Sequence, residues 1–329
     1  MNTSKNHLND RLSLADVMPI TPYEAKICKS NHIPTLQGKL FAKDDFGNLI
    51  FVHSNTVVLG GSINALEKLT GVFASYRPSS INMQESANMA CPLPSGCESY
   101  TDAYEQSIET SSHICLFGVG MGGAGDTFSQ VYAPDFKQNS LATWLPFRIS
   151  AKPTLNVSGL LSGDDNATER AKYHMLEIDS AETIYKYQWY LKQFESTAEV
   201  KSLWKNAPDL TKDGTEITSA SDVASGPAGV GIESMAEFVI NISADDIRPY
   251  FENKGALASA RYNTIGLFTS SLIKPDYTKS KISSDYSALQ GENYTEAYNT
   301  RLFSVVNFEN DSLKLRKDIT YVYRIYSSL

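Results

Sequence analysis

Residues 113–126, HICLFGVGMGGAGD, hold the densest chemical signal in the chain. Ile114, Cys115, Leu116 and Phe117 form a short apolar run with β propensity, and Gly118, Gly120, Gly122, Gly123 and Gly125 follow. Glycine gathers where the backbone takes a positive φ or passes very close to another group. Gly118, Gly120 and Gly123 match the G-x-G-x-x-G spacing of a dinucleotide fingerprint, in which the last glycine opens a helix whose N-terminus faces the pyrophosphate. That chemistry also requires a crossover helix and, ~20 residues on, an acid to take the ribose. Here Pro134 arrives too soon for such a helix, and the next apolar run, 144–149, ends in Ser150, Ala151 and Lys152. No glycine precedes Lys-Ser or Lys-Thr, so a P-loop is missing too. The fingerprint lacks its context. What remains is a buried strand that ends in a close-packed glycine loop, with an enzyme binding phosphate or nucleotide there as an alternative.

Other reactive residues are scattered. Histidines stand at 7, 32, 53, 113 and 174, none at ligand spacing from another. His113 and Cys115 share one face of a strand, but two ligands do not make a zinc site. The pairs Asp164–Asp165 and Asp245–Asp246 lack the alternating acids of a calcium loop, and Asp246 suits a helix N-cap. No G-x-S-x-G elbow, H-E-x-x-H helix or Ser-x-x-Lys set occurs. A two-carboxylate glycosidase leaves no spacing signature, and nothing here points to one. The residues imply no catalytic group, metal or cofactor, which favours a binding or structural role.

The aromatic pattern is more informative. In 183–194, Tyr185, Tyr187, Trp189 and Leu191 alternate with Lys186, Gln188, Tyr190 and Lys192, and in 320–326, Tyr321, Tyr323 and Ile325 alternate with Val322, Arg324 and Tyr326. Period two indicates strands with one aromatic face, which is core or a subunit interface. A stripe facing solvent at Tyr185–Trp189 would instead define a carbohydrate- or receptor-binding β-module.

Stepping along the chain, residues 1–35 are polar and punctuated by Pro19, Pro22 and Pro34, as in an arm lying on another surface. Strands are expected at 36–42 and 49–53, joined by a turn at 44–48, with 55–59 extending the sheet. Ser62 can cap a helix that stops at Gly71. Residues 74–112 lack periodicity and are too long for an ordinary loop, so they are functional or ordered by a partner. Residues 144–149 read as one strand, 151–168 as a loop between halves, 172–178 and 183–194 as strands, and 209–231 as a flexible loop. A strand at 232–243 leads to a helix capped by Asp246, with Pro249 in its first turn and Gly255 at its end. Strands at 261–271, 301–308 and 320–326 complete the set. The expected fold is mainly β or α+β: an antiparallel β-sandwich or barrel-like core with two short helices and long loops that order on assembly. The expected organisation is an arm (1–35), a β-rich first half with the glycine loop (36–150) and a β-rich second half (151–329), the halves able to form one domain.

Composition fits this reading. The 329 residues are 42% hydrophobic and 20% charged, with 18 Tyr and 14 Phe. A net charge of −8 with dispersed Lys and Arg argues against direct nucleic-acid binding. The N-terminal sequence has no apolar signal core, and no stretch reaches the ~20 apolar residues of a membrane helix. Cys28, Cys91, Cys97 and Cys115 include no C-x-x-C pair. Reduced thiols are the default, although Cys91 and Cys97 flank a turn that a disulfide could bridge.

Five stretches carry a resemblance: NTVVLGGSINALEKLTG at 55–71, ICLFGVGMGGAGD at 114–126, WLPFR at 144–148, DDIRPYFENKGALASARYNTIGLFTS at 245–270 and the closing TYVYRIY. In this order and spacing the chain resembles virion structural proteins of large contractile-tailed bacteriophages. The resemblance implies a non-enzymatic, multi-copy building block of the particle, made in the host cytoplasm and partnered by other virion proteins and by copies of itself. Segments 1–35, 74–112 and 209–231 would be its natural inter-subunit contacts.

Overall fold

A computed structural model describes residues 35–44, 48–71, 74, 76, 81, 112–125, 130–151, 172–179, 186–204, 214–227, 230–273, 295–310 and 319–328. The expected arm apart from Thr35, most of 74–112, the 151–168 loop apart from Ala151, Asp164, Asp165, Tyr185, Cys28, Cys91 and Cys97 lie outside the described residues.

The first strands are β1 (Thr35–Lys43), β2 (Leu49–Ser54), β3 (Thr56–Val57), β4 (His113–Gly120), β5 (Trp144–Leu145), β6 (Arg148–Ala151) and β7 (Tyr173–Asp179). They are followed by β8 (Lys186–Gln193), β9 (Glu199–Trp204), β10 (Ile232–Ile242), β11 (Thr264–Ile273), β12 (Glu296–Asn307) and β13 (Ile319–Ser328). The α-helices among the described residues are α1 (Leu59–Thr70), α2 (Ala220–Ala224) and α3 (Ala244–Asn253). The chain is mainly β, with two antiparallel sheets and no closed barrel among the described residues. Its two compact units are discontinuous. One comprises Met1–Val57, Glu195–Asn241 and Thr320–Leu329, and the other Val58–Phe194 and Ile242–Ile319. The 150/151 boundary suggested by sequence falls inside the second unit.

The first unit holds the sheet β2-β1-β13-β10-β9. Its centre is the long antiparallel pairing of β1 with β13, from Thr35↔Ser328 to Lys43↔Thr320. Leu40 sits opposite Tyr323 and Ala42 opposite Tyr321, all four fully buried on one face. The Tyr323 hydroxyl accepts a hydrogen bond from Asn55 Nδ2, which satisfies the polar end of a buried ring. Gly38 leaves the space that the Asn55 side chain fills. On the opposite face the Arg324 guanidinium lies 4.9 Å from the Phe41 ring centroid and its Nε donates to Glu237 Oε2 at 2.7 Å.

In the second unit the strands run β12-β11-β4-β8-β6, with β5 paired to β4 and β7 to β8. Val58, Leu116, Leu141, Leu191, Phe268 and Val305 are core residues here, and the Trp144 indole stacks on Phe268 at 5.3 Å. The expected single strand at 144–149 is two, because Pro146 cannot donate to a ladder and interrupts the pairing.

Both expected helices are displaced. α1 starts at Leu59, so Ser62 is an internal residue and not its cap. Gly60 and Gly61 lie within the helix, where a Cβ on Gly61 would collide with the Phe303 carbonyl; the missing side chain lets helix and strand touch. Gly71, at φ 69°, closes α1 by donating its N–H to the Glu67 carbonyl, the left-handed stop a glycine provides. In α3, Ser243 precedes the helix and donates its N–H to Asp246 Oδ2 at 3.0 Å. Asp246 is therefore the third-position partner of the helix start instead of the cap, and Pro249 lies inside the helix. The third helix, α2, falls in the stretch expected to be a flexible loop. Ser219 and Asp222 form its reciprocal capping box.

Candidate functional site

Strand β4 continues through Gly118 and Gly120, so the glycine segment begins inside a sheet and the loop starts only afterwards. None of its five glycines has a positive φ. Their common property is crowding. A Cβ on Gly118 would lie 2.7 Å from the Trp144 ring, and one on Gly120 would lie 2.8 Å from the Ala142 carbonyl oxygen. A Cβ on Gly122 would collide with the Ala142 methyl, one on Gly123 would lie 2.5 Å from Thr264 Oγ1, and one on Gly125 would reach 3.0 Å from the Tyr132 hydroxyl.

The N–H groups here already have acceptors. Met121 donates to the Thr143 carbonyl, Gly122 to Ala142, Gly125 to Gln130, and Gly123 to Asn263 Oδ1 at 2.7 Å. A phosphate cradle depends on such donors pointing outward at the ligand, and these are spent within the protein. The chain then returns by the Ala124↔Val131 bridge, not by a crossover helix.

Asparagines lock this turn. Asn263, fully buried, receives the Gly123 N–H and donates Nδ2 to Asn310 Oδ1 at 2.7 Å. Asn310 Nδ2 in turn donates to the Gly125 carbonyl at 2.7 Å. Asn307 accepts from Thr264 Oγ1 at 3.0 Å and donates Nδ2 to the Tyr132 carbonyl at 2.9 Å. The return segment is also tied at its far end, where Leu59 N–H donates to the Phe136 carbonyl at 2.8 Å. On this fastened backbone Val131, Tyr132 and Phe136 stand out, the rings 44% and 51% exposed. Lys137 Nζ lies 5.6 Å from the Phe136 ring centroid. A rigid backbone presenting apolar side chains suits a protein contact, because little entropy is lost on binding. The sequence contained the anchor as Asn307-x-x-Asn310 and Asn263 beside strand ends, but no spacing rule marks such asparagines as partners of a glycine segment.

Two further polar groups flank the β7–β8 ladder on opposite faces. On one face, Tyr173 sits opposite Lys192. Lys192 Nζ reaches Asp246 Oδ2 at 2.9 Å and Tyr173 Oη donates to Asp246 Oδ1 at 2.8 Å, all three side chains buried. On the other face, His174 Nδ1 lies 3.0 Å from Glu296 Oε1, and its Nε2 lies 2.6 Å from Gln193 Nε2. With the amide nitrogen as donor, Nε2 is the acceptor and Nδ1–H donates to the carboxylate. Glu296 Oε1 also accepts the Ala297 N–H at 2.9 Å. A His–carboxylate pair can relay a proton, but here Gln193 engages the second ring nitrogen. The group crosslinks β7, β8 and β12.

The aromatic candidates divide. Tyr321 and Tyr323 are fully buried within the first unit, so their rings serve the fold and offer no interface surface. In the other stripe Trp189 and Leu191 are buried, the Tyr187 side chain and Tyr185 lie outside the described residues, and a solvent-facing sugar platform has no support at the described positions. His113 is exposed whereas Cys115 is buried, its Sγ 3.5 Å from the Ser270 carbonyl; burial pushes this thiol up to about 12. No group of three or more metal-ligating side chains occurs among the described residues, and no described helix is long and apolar enough to cross a membrane.

Fold and site together define a mainly β protein with two antiparallel sheets and a fastened apolar rim. Comparison with protein-family models, curated proteins and solved structures finds no match.

Proposed function

We propose that the protein is a non-enzymatic structural subunit of a tailed-phage virion, capsid-associated or part of the neck, tail or baseplate, that works through protein–protein interfaces with copies of itself and other virion proteins. The observation that carries this reading is the rim of Val131, Tyr132 and Phe136, apolar side chains held outward by a backbone that hydrogen bonds fix at Gly123, Gly125, Tyr132 and Phe136. An assembly subunit needs such prearranged surface, because each neighbour it meets must recover the entropy of association. The resemblance of the five sequence stretches to virion structural proteins supplies the particle.

The test has two parts. Mass spectrometry of gradient-purified particles should find the chain in multiple copies, and its absence from them refutes the virion reading. The variant Tyr132→Asp/Phe136→Asp should stay folded, with a thermal midpoint close to the wild type's, while losing incorporation, since about half of each residue already faces water. Normal incorporation of the folded variant would remove the rim from the interface.

A further inference from the structure

The first unit's sheet has two unlike edges. At one edge, the Ser202–Trp204 end of β9 is covered. Trp204 N–H donates to the Thr215 carbonyl at 2.9 Å, Ile217 N–H donates to Ser202 at 2.8 Å, and Leu203 bridges Glu216. At the other edge stands β2, LIFVHS, with no described strand beyond it. The phase of β2 follows from one bond, Asn55 N–H to the Gly38 carbonyl at 3.0 Å, in line with the register Lys39↔Ser54 and Leu40↔His53. In an antiparallel pair both main-chain groups of a residue point the same way, and the direction alternates along the strand. Phe51 and His53 therefore turn their main-chain groups toward β1, while Val52 and Ser54 turn theirs outward. Val52 carries an exposed side chain, at 37%, and so does the bulged Ile50, at 49%.

Edge strands that stay single are guarded by lysine, proline, a bulge or an inward charge. β2 has no lysine, proline or acid, and its one bulge, where Ala42↔Phe51 gives way to Lys43↔Leu49, is Ile50, ahead of the regular Phe51–Ser54 stretch. We infer that β2 is a self-pairing edge: two copies of the chain join antiparallel, β2 to β2, about a two-fold axis at Val52, and continue the sheet across the dimer.

The strand is self-complementary in that register. Val52 meets Val52 of the second copy, Ile50 meets Ser54, and Phe51 meets His53, an aromatic pair of the kind that stabilises cross-strand contacts. Two chains of net charge −8 repel each other, yet this strand brings no like charges face to face. With Ser202–Trp204 of β9 covered, only Glu199–Lys201 is left as a counterpart for head-to-tail growth at that edge, which favours the closed, isologous pairing. The inference uses the first unit alone and does not depend on the virion reading.

The full-length protein should sediment at twice the 36.3 kDa chain mass at micromolar concentration. Val52→Pro removes an outward N–H that β1 does not use, and Val52→Lys sets two charges face to face. Each should return the mass to that of one chain with the circular dichroism spectrum unchanged. In Val52→Cys, a short thiol-to-thiol crosslinker should join residue 52 to residue 52 of the second copy, identified by peptide mapping. A wild-type monomer, a dimer that persists in both the lysine and proline variants, or a folded Val52→Cys protein without the 52–52 crosslink would overturn the inference. Particle incorporation is a separate readout, so either proposal can fail alone.

Discussion

At the residue scale, the five glycines of 118–125 are required by neighbours and not by dihedral angles, a distinction with measurable consequences. Gly123→Ala should cost about 1–3 kcal/mol in urea unfolding, the range for overpacking, because Asn263, Thr264 and Asn307 are themselves fixed. Gly71→Ala offers the contrast: nothing lies within 4 Å of its added methyl, and the roughly 1 kcal/mol loss expected there comes only from the left-handed φ. Cys115 gives a second residue-level prediction. Its thiol is held neutral by burial, to about 12 against an ordinary 9.0, so the folded state binds a proton that the unfolded state gives up first. Its contribution is complete below pH 9 and erodes as pH rises from 9 toward 12, by up to about 1.4 kcal/mol per pH unit. Urea midpoints from pH 8 to 10.5 should fall more steeply for the wild type than for Cys115→Ala, and equal slopes would refute the assignment. The glycine cluster was legible in the sequence because glycine is rare at such density. Its partners were not, because Asn263, Asn307 and Asn310 come from distant strands and asparagine has many ordinary uses.

At the scale of elements, strands were more legible than helix ends. Alternation marks β8 and β13, where Trp189 and Leu191 in the first and Tyr321, Tyr323 and Ile325 in the second are buried along one face. The start of α1 was missed because close contact with β12 at Phe303 admits glycines that propensity places outside a helix. α2 was missed although Ser219-x-x-Asp222 is the signature of a capping box; hydrogen bonds from Thr218 and Ser219 hold the Asp222 carboxyl below its usual range. The place of Asp246 in the sequence suggests a cap and does not reveal Lys192, a strand residue 54 positions away. The joint between α3 and the β7–β8 ladder is thus a buried ion pair with a tyrosine. Lys192→Met should lower stability by about 3–5 kcal/mol, since it leaves the Asp246 carboxylate buried without its cation. The double variant Lys192→Met/Asp246→Leu should recover part of that loss, as measured by urea unfolding. If the double variant loses the sum of the two single losses, the pair is not coupled.

At the scale of the whole molecule, the order of strands in space was the least legible feature. Strand patterns reveal which residues face a core but not which strand lies beside which, and here the first unit is assembled from the beginning, middle and end of the chain. Its sheet places β13, the final strand, between β1 and β10. The resulting β1–β13 pairing closes almost the entire chain into a loop, a non-local contact that is entropically costly and slow to form. Tyr321 and Tyr323 bury their rings opposite Ala42 and Leu40, so the central ladder of this unit depends on β13. Removing residues 319–329 should therefore erase the amide protection of β1, β2 and β10 in hydrogen exchange, since the strand that joins them is gone. The readout should be specific. Amides of β4 and β11, whose ladder partners lie wholly within the second unit, should keep protection longer than those of β1. Undiminished protection of β1 in the shortened chain would mean that its stability does not come from β13, and the sheet order derived for the first unit would then be wrong.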